Sequence, residues 1–235
     1  TELFCVIDDF FLKFESTYWE FLKQNRGSLR IRTAQLTISE ICFIAIWYKC
    51  SHFNNFKAFF SWLKEDKSHL FKYLPCYQRM IHLINMHELA LHALHVALMK
   101  GQGTQYLWID STTLPVCKNQ RIQRHKSLIQ IASRGRSSMG WFYGCKLHIA
   151  MNQFGEIACS ALSNGHVADI KMVEQLVAGI EAKLYGDRGY ISQELKIRLK
   201  DQGIDLITYH RKNMQAIQLC ASDEYHLRQR NKIET

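Results

Sequence analysis

The chain is poor in the residues that break or staple a fold. Two prolines occur in 235 residues, so helices can run with few forced interruptions. Eight cysteines at positions 5, 42, 50, 76, 117, 145, 159 and 220 include no C-x-x-C pair. That argues against both a structural zinc site and a disulfide framework, and for reduced core thiols. No apolar run is longer than "ICFIAIWY", residues 41–48, far short of the roughly 20 residues that cross a bilayer. The opening "TELFCVIDDFF" has two adjacent acids and no basic leader, so a secretory signal is not expected. These absences predict a cytosolic protein with no membrane partner.

Acid is also missing from one long stretch. From Ser111 to Gly155 there is none, yet the stretch holds seven bases: Lys118, Arg121, Arg124, Lys126, Arg134, Arg136 and Lys146. The net charge of +9 is uneven, since residues 111–235 carry 18 bases and 11 acids against 12 and 10 before them. A solvated loop explains part of this, but a long block of one sign repels itself unless a polyanion relieves it. Nucleic acid is the commonest polyanion.

What is present divides near residue 100. The first hundred residues read as helical, with aromatic and aliphatic side chains at three- and four-residue spacing. Thr37 and Glu40 have capping-box spacing at the head of "LTISEICFIAIWYK", and "FNNFKAFFSWLKE" follows with Phe53, Phe56, Phe60 and Leu63 on one side. The pair is a helix-turn-helix candidate, although any small helical bundle shows such a pattern. One longer helix is expected between Pro75 and Gly101. On it His87-Glu88 and His92 miss the zinc-protease spacing by one residue, while Glu88, His92 and His95 share a face, where a metal site is conceivable.

After Gly101 the period becomes that of strands. "YLWID" predicts a strand ending on Asp110, and "GCKLHIAMNQFGEIACSALS" a hairpin turning near 152–155. "DIKMVEQLVAGIEA" predicts a helix capped by Asp169 with Ile170, Val173, Leu176, Val177 and Ile180 as its stripe. The strand "KLYGD", the helix "SQELKIRLKDQG", the strand "DLITYH" and a helix from Ser222 complete the order βββαβαβα. Lys146 and His148 alternate on the second strand and are expected to face one side. His210, Arg211 and Lys212 form a further basic cluster after the fifth strand.

Asp187 is flanked by Gly186 and Gly189, expected to let the backbone turn sharply, with Arg188 beside it as a counter-charge or a phosphate contact. In a ribonuclease-H-like sheet the first and fourth strands are neighbours and the last helix packs across their ends. Asp110, Asp187 and Glu234 then converge. The strings "WIDSTTLPV", "WFYGCKLHIAMN", "YGDRGYIS" and "RQRNKIE", in this order, closely resemble the DDE transposases of bacterial insertion sequences, most specifically the family numbered 982. The resemblance runs back through the helical region and so covers essentially the whole chain.

That resemblance implies an α/β (overall α+β) protein. A helical domain that binds DNA ends, residues 1–100, precedes a ribonuclease-H-like catalytic domain, residues 101–235. It implies Asp110, Asp187 and Glu234 as catalytic acids holding two Mg2+ ions, for which Mn2+ can substitute. Asp110 bridges the pair, and Asp187 and Glu234 complete one ion each. Arg230 matches the arginine of the last family motif. Leu227 stands where the family has tyrosine, and the motif's lysine falls beyond residue 235, so the catalytic domain is expected to be incomplete at its last helix. Lys118, Arg121, Arg124, Lys126, Arg134, Arg136, Lys146, Arg188 and Arg230 are the expected DNA contacts. The partners implied are the element's terminal inverted repeats and target DNA, bound by a homo-oligomer in a nucleoid-associated, cytoplasmic setting. The activity implied is metal-dependent cleavage at insertion-sequence ends and strand transfer. Two alternatives stand beside it: a catalytically dead DNA-binding fragment that inhibits transposition, and a ribonuclease-H-like nuclease without strand transfer.

Overall fold

A computed structural model describes residues 2–26, 35–99, 103–126, 128–210 and 219–233, in two compact units, Thr1–Leu98 and Met99–Thr235. Glu234, Arg211 and Lys212 lie outside the described residues.

The first unit contains helices α1 (Glu2–Arg26), α2 (Ile38–Cys50), α3 (Phe56–Asp66), α4 (Tyr77–Met86) and α5 (Glu88–Leu98). The expected capping box starts α2: Thr37 Oγ1 accepts from Glu40 N at 3.1 Å and Glu40 Oε2 from Thr37 N at 2.7 Å. Asn55 Oδ1 likewise accepts from Ala58 N at the head of α3. Ile7, Phe11, Tyr18 and Leu22 recur on one face of α1 and bury against α2 and α5, while Phe59, Phe60 and Leu63 of α3 join Ile41, Ile44 and Met80 in a second cluster.

The single helix expected between Pro75 and Gly101 is two helices. His87 leaves the helical region at φ −102° and ψ 22°, and its N–H reaches back to the carbonyls of Leu83 and Ile84. Its imidazole is buried beside Tyr18 Oη, 3.3 Å from Nδ1, with the Trp19 indole edge-on. Glu88, His92 and His95 are exposed on α5, and among the described residues no group of three metal-binding side chains is assembled.

The second unit is built on a six-stranded sheet. Its strands are β1 (Tyr106–Cys117), β2 (Ser133–Ser137), β3 (Gly140–Asn152), β4 (Ile157–Asn164), β5 (Lys183–Gly186) and β6 (Asp205–Thr208). β1 pairs antiparallel with β3 and parallel with β5, and β6 extends β5 in parallel. β2 and β4 share the far edge of β3, pairing with Gly140–Gly144 and Cys145–Met151 in turn. Without β2 the order β4-β3-β1-β5-β6 is that of a ribonuclease-H-like sheet, with helices α6 (Val173–Leu176), α7 (Gln193–Asp201) and α8 (Ala221–Arg228) around it.

Three sequence expectations are corrected here. β1 does not end at Asp110; it runs on to Cys117, because β3 supplies a partner as far as Cys117 after β5 has stopped pairing at Trp108. β2 arises inside the stretch expected to be a basic loop, made possible where Gly135, Gly144 and Gly165 cross. A Cβ on Gly135 would strike the Gly165 carbonyl, and one on Gly165 would come within 2.7 Å of Ser133 O. The helix expected from Asp169 shrinks to α6 after a 3-10 turn at Asp169–Met172, since Gly179 turns left-handed at φ 80° three residues past its end. Asp169 caps nothing; its carboxylate holds Lys146.

Candidate active site

Asp110 and Asp187 reach one place through strand register. Tyr106, Leu107 and Trp108 of β1 stand opposite Lys183, Leu184 and Tyr185 of β5, and Asp110 and Asp187 each follow two residues beyond the last of these pairs, Asp187 being the first residue after β5. Side chains alternate along a strand, so Asp110 shares the face of Trp108, which packs with Tyr185, Leu227 and Ile233. The opposite face carries Leu107, Ile109 and Leu184 into the main core. Both acids are half-buried.

The acids' face is covered by the C-terminal segment, fastened at three points. Trp108 Nε1 donates to the His226 carbonyl at 2.7 Å. Lys183 Nζ and Tyr185 Oη both donate to Asp223 Oδ1 at 2.9 Å. Leu227, 1% exposed, fills the space between Trp108, Tyr185 and Ile207. Leu227 is thus an anchor for α8. One turn later Arg230 brings Nη1 to 4.0 Å from Asp110 Oδ1, a contact in which both side chains stay partly exposed. Burial pushes the Tyr185 phenol well above its ordinary range, and its hydrogen bond to Asp223 adds to the shift. The phenol therefore stays a donor at neutral pH.

The glycines beside Asp187 act by size, not by turning: neither has a positive φ. A Cβ on Gly186 would lie 3.0 Å from Tyr190 Cδ2 and 3.3 Å from Ile109 Cγ2, and one on Gly189 would lie 2.8 Å from Asp187 Oδ1. Asp187 caps the turn Arg188–Tyr190, accepting from Gly189 N at 2.7 Å, so one carboxylate oxygen is oriented by backbone. Arg188 is exposed. Tyr190 is buried behind the acids; burial raises its pKa, with Asp169, Asp110 and Asp187 adding repulsion and the Ser111 hydroxyl opposing.

Among the expected DNA contacts, Lys118, Arg121, Arg124, Lys126, Arg134 and Arg136 are all exposed. Lys146 differs. It is buried, and its ammonium donates to Asp169 Oδ1 and the Val167 carbonyl, each at 2.9 Å. His148, on the same side of β3, is also buried, with Nε2 2.8 Å from Ser163 Oγ. Burial pushes its pKa down. His148 therefore belongs to the packing, and the Lys146 charge is tied up in its ion pair with Asp169. Two contributors escaped sequence reasoning: Asp223, which ties α8 to β5, and Trp141, whose indole stands 66% exposed on β3. The alternation in "SRGRS" and "GWFYG" around a turn was the signal for the second.

A family model described as "Transposase DDE domain" matches residues 100–235. No curated protein matches the chain. Among solved structures it is similar to a piggyBac transposase in a synaptic complex with hairpin DNA, at 14% identity and a TM-score of 0.41, over 80% of this chain and 46% of that one. The chain therefore spans less than half the length of that transposase.

Proposed function

The chain belongs to the transposase DDE domain family, and from that premise we propose that it cleaves DNA at the ends of an insertion sequence and joins the freed 3′ ends to target DNA. The observation that supports the reading is the pair Asp110 and Asp187, two half-buried carboxylates that each follow the last paired residues of adjacent parallel strands by two positions. The resemblance of the four strings to the insertion-sequence family numbered 982 supports the finer assignment.

Hard carboxylate oxygens suit magnesium or manganese. Asp110 and Asp187 would hold such ions, and Glu234 is the proposed third acid. The ions would lower the pKa of an attacking water and stabilise a leaving oxygen. The protein's own residues do the rest. The Gly189 N–H orients Asp187. Arg230 balances Asp110, limiting repulsion between two like charges. The exposed bases Lys118, Arg121, Arg124, Lys126, Arg134, Arg136 and Arg188 bind phosphates, which sets affinity and position, not sequence. In each step an oxygen nucleophile, water first and a 3′-hydroxyl second, displaces a 3′ oxygen from phosphorus, so phosphodiester bonds broken and made balance in the joining step. The helical unit is the proposed reader of the terminal repeats, and assembly as a homo-oligomer on DNA would bring two ends together.

The test is to incubate the chain with duplexes ending in the element's terminal repeats, with and without Mg2+ or Mn2+. Metal-dependent 3′ cleavage followed by joining is expected. Cleavage without joining would favour a nuclease, and tight binding without either would favour an inhibitor of transposition.

A further inference from the structure

The β2–β3 ribbon has two unlike faces. Antiparallel partners project to one side, so the pairs Arg136 with Trp141 and Arg134 with Tyr143 share a face, while Gly135 and Phe142 turn inward. Phe142 is buried, whereas Trp141 is 66% exposed and Arg134 and Arg136 are exposed. Asn119 Nδ2 donates to the Trp141 carbonyl at 3.0 Å, fixing beside the ribbon the turn Asn119–Arg124 that carries Arg121 and Arg124. Arg134, Arg136, Trp141 and His166 line a cavity of about 500 Å³ that reaches Gly189, the residue whose N–H holds Asp187. Lys146 and Asp169 also line it, and there their charges meet.

The exposed indole shares its face with two exposed arginines. Arginines alone serve a duplex backbone, but the bases of a duplex are stacked inside it and offer no face to a tryptophan. Unpaired bases do, and every base has a π-face, so a stacking platform within a cationic groove fits single-stranded DNA. The acid-free stretch from Ser111 to Gly155, which contains the whole ribbon, supplies the charge complementarity. We propose that the Trp141 face of the β2–β3 ribbon seats an unpaired nucleotide of the DNA, with its base on the indole and its flanking phosphates on Arg134 and Arg136. This rests on the transposase reading for the presence of DNA and deepens it: strand opening next to the cleavage site becomes part of substrate recognition.

The experiment measures binding of the full chain to a 15-nucleotide single strand and to the duplex of the same sequence. Trp141→Ala is expected to weaken the single strand roughly five- to a hundredfold, the range of one lost base stack, and the duplex less than twofold. Trp141→Phe should restore most of the loss. Arg136→Ala should weaken both ligands and lower the salt dependence. Because Trp141 is largely solvent-exposed, unchanged melting of each variant is the control for folding. Single-strand affinity unaffected by Trp141→Ala, or an equal loss on both ligands, overturns the seat while leaving the transposase reading intact. Binding of neither ligand by the wild-type chain overturns both.

Discussion

Asp110 and Asp187 each lie two residues beyond the last paired rung of β1 and β5, Trp108 opposite Tyr185, and keep the 77-residue offset of Tyr106 and Lys183. Adjacent strands are about 4.8 Å apart, so the two chains leave that rung as neighbours, and Asp187 is then oriented by the turn it caps. Replacing one carboxylate by its amide keeps shape and removes a hard, charged ligand. Asp110→Asn or Asp187→Asn should therefore reduce metal-dependent cleavage at least a hundredfold while DNA binding is unchanged or tighter, read by gel shift and nicking of labelled ends. Near-normal cleavage by either variant would remove these residues from the site.

The two compact units suggest a division of labour that fragments can test. A fragment ending at Leu98 should prefer terminal-repeat duplex to random duplex, and residues 99–235 should bind both alike with a steep salt dependence. Equal preference by the two fragments would reject it.

Lys146 separates a structural charge from a binding one. Its ammonium is committed to Asp169 and the Val167 carbonyl under the sheet. Lys146→Met should cost about 1 to 3 kcal/mol of stability by leaving those acceptors unpaired, with no change in the salt slope of DNA binding. Arg121→Ala should do the reverse, lowering the slope by about one with little effect on melting. A reduced slope for Lys146→Met would return that lysine to the DNA surface.

Gly186→Ala tests the close packing behind the acids. The new Cβ meets the Tyr190 ring and Ile109 at 3.0 and 3.3 Å, a mild overpacking expected to cost about 1 to 3 kcal/mol. Because Asp187 is the next residue, cleavage should fall more than stability alone explains. Full activity at reduced melting temperature would show that the acid's position tolerates the shift.

Stability of the helical unit should decline in mild acid. Burial beside Tyr18 pushes the His87 pKa below its ordinary 6.5, with Glu15 opposing. The unfolded chain then takes up a proton that the folded one resists. Stability is full above pH ~6.5 and falls as pH drops through that value towards the lower folded pKa. His87→Gln should flatten the dependence of melting on pH between 7.5 and 5.5. His148 is shifted in the same direction in the other unit, so the slope of that second unit should survive. An unaltered slope in the helical unit would show that another group titrates.

Much of this architecture is legible in the residues. The Thr37–Glu40 box, the turn after Asn152 and the strand running into Asp187 are local signals, and the structure carries each of them. The features that escaped depend on partners distant in sequence. "STTLPV" extends β1 because β3 lies alongside, despite Pro115. "SRGRS" becomes a strand because three glycines let it share an edge with β4. The break at His87 follows from a pocket formed by Tyr18 and Trp19 of α1. Resemblance and element order bring Asp110, Asp187 and Glu234 forward together, the last of them outside the described residues, whereas the burial of Lys146 is invisible in a one-dimensional count of bases.

The parallel pairing of β1 with β5 ends at Trp108, while the antiparallel pairing with β3 continues beyond Asp110. The sheet forks there, and the two acids stand on either side of the fork. Their relative position follows from the main-chain ladder that precedes them, which most side chains in the strands would preserve, the close-packed glycines excepted. A lineage carrying this fold can therefore replace much of its interior, residue by residue, and keep the two acids in place, provided that no insertion or deletion slips one strand past the other. Divergence in such a sheet is cheap by substitution and ruinous by a single-residue shift in frame along β1 or β5.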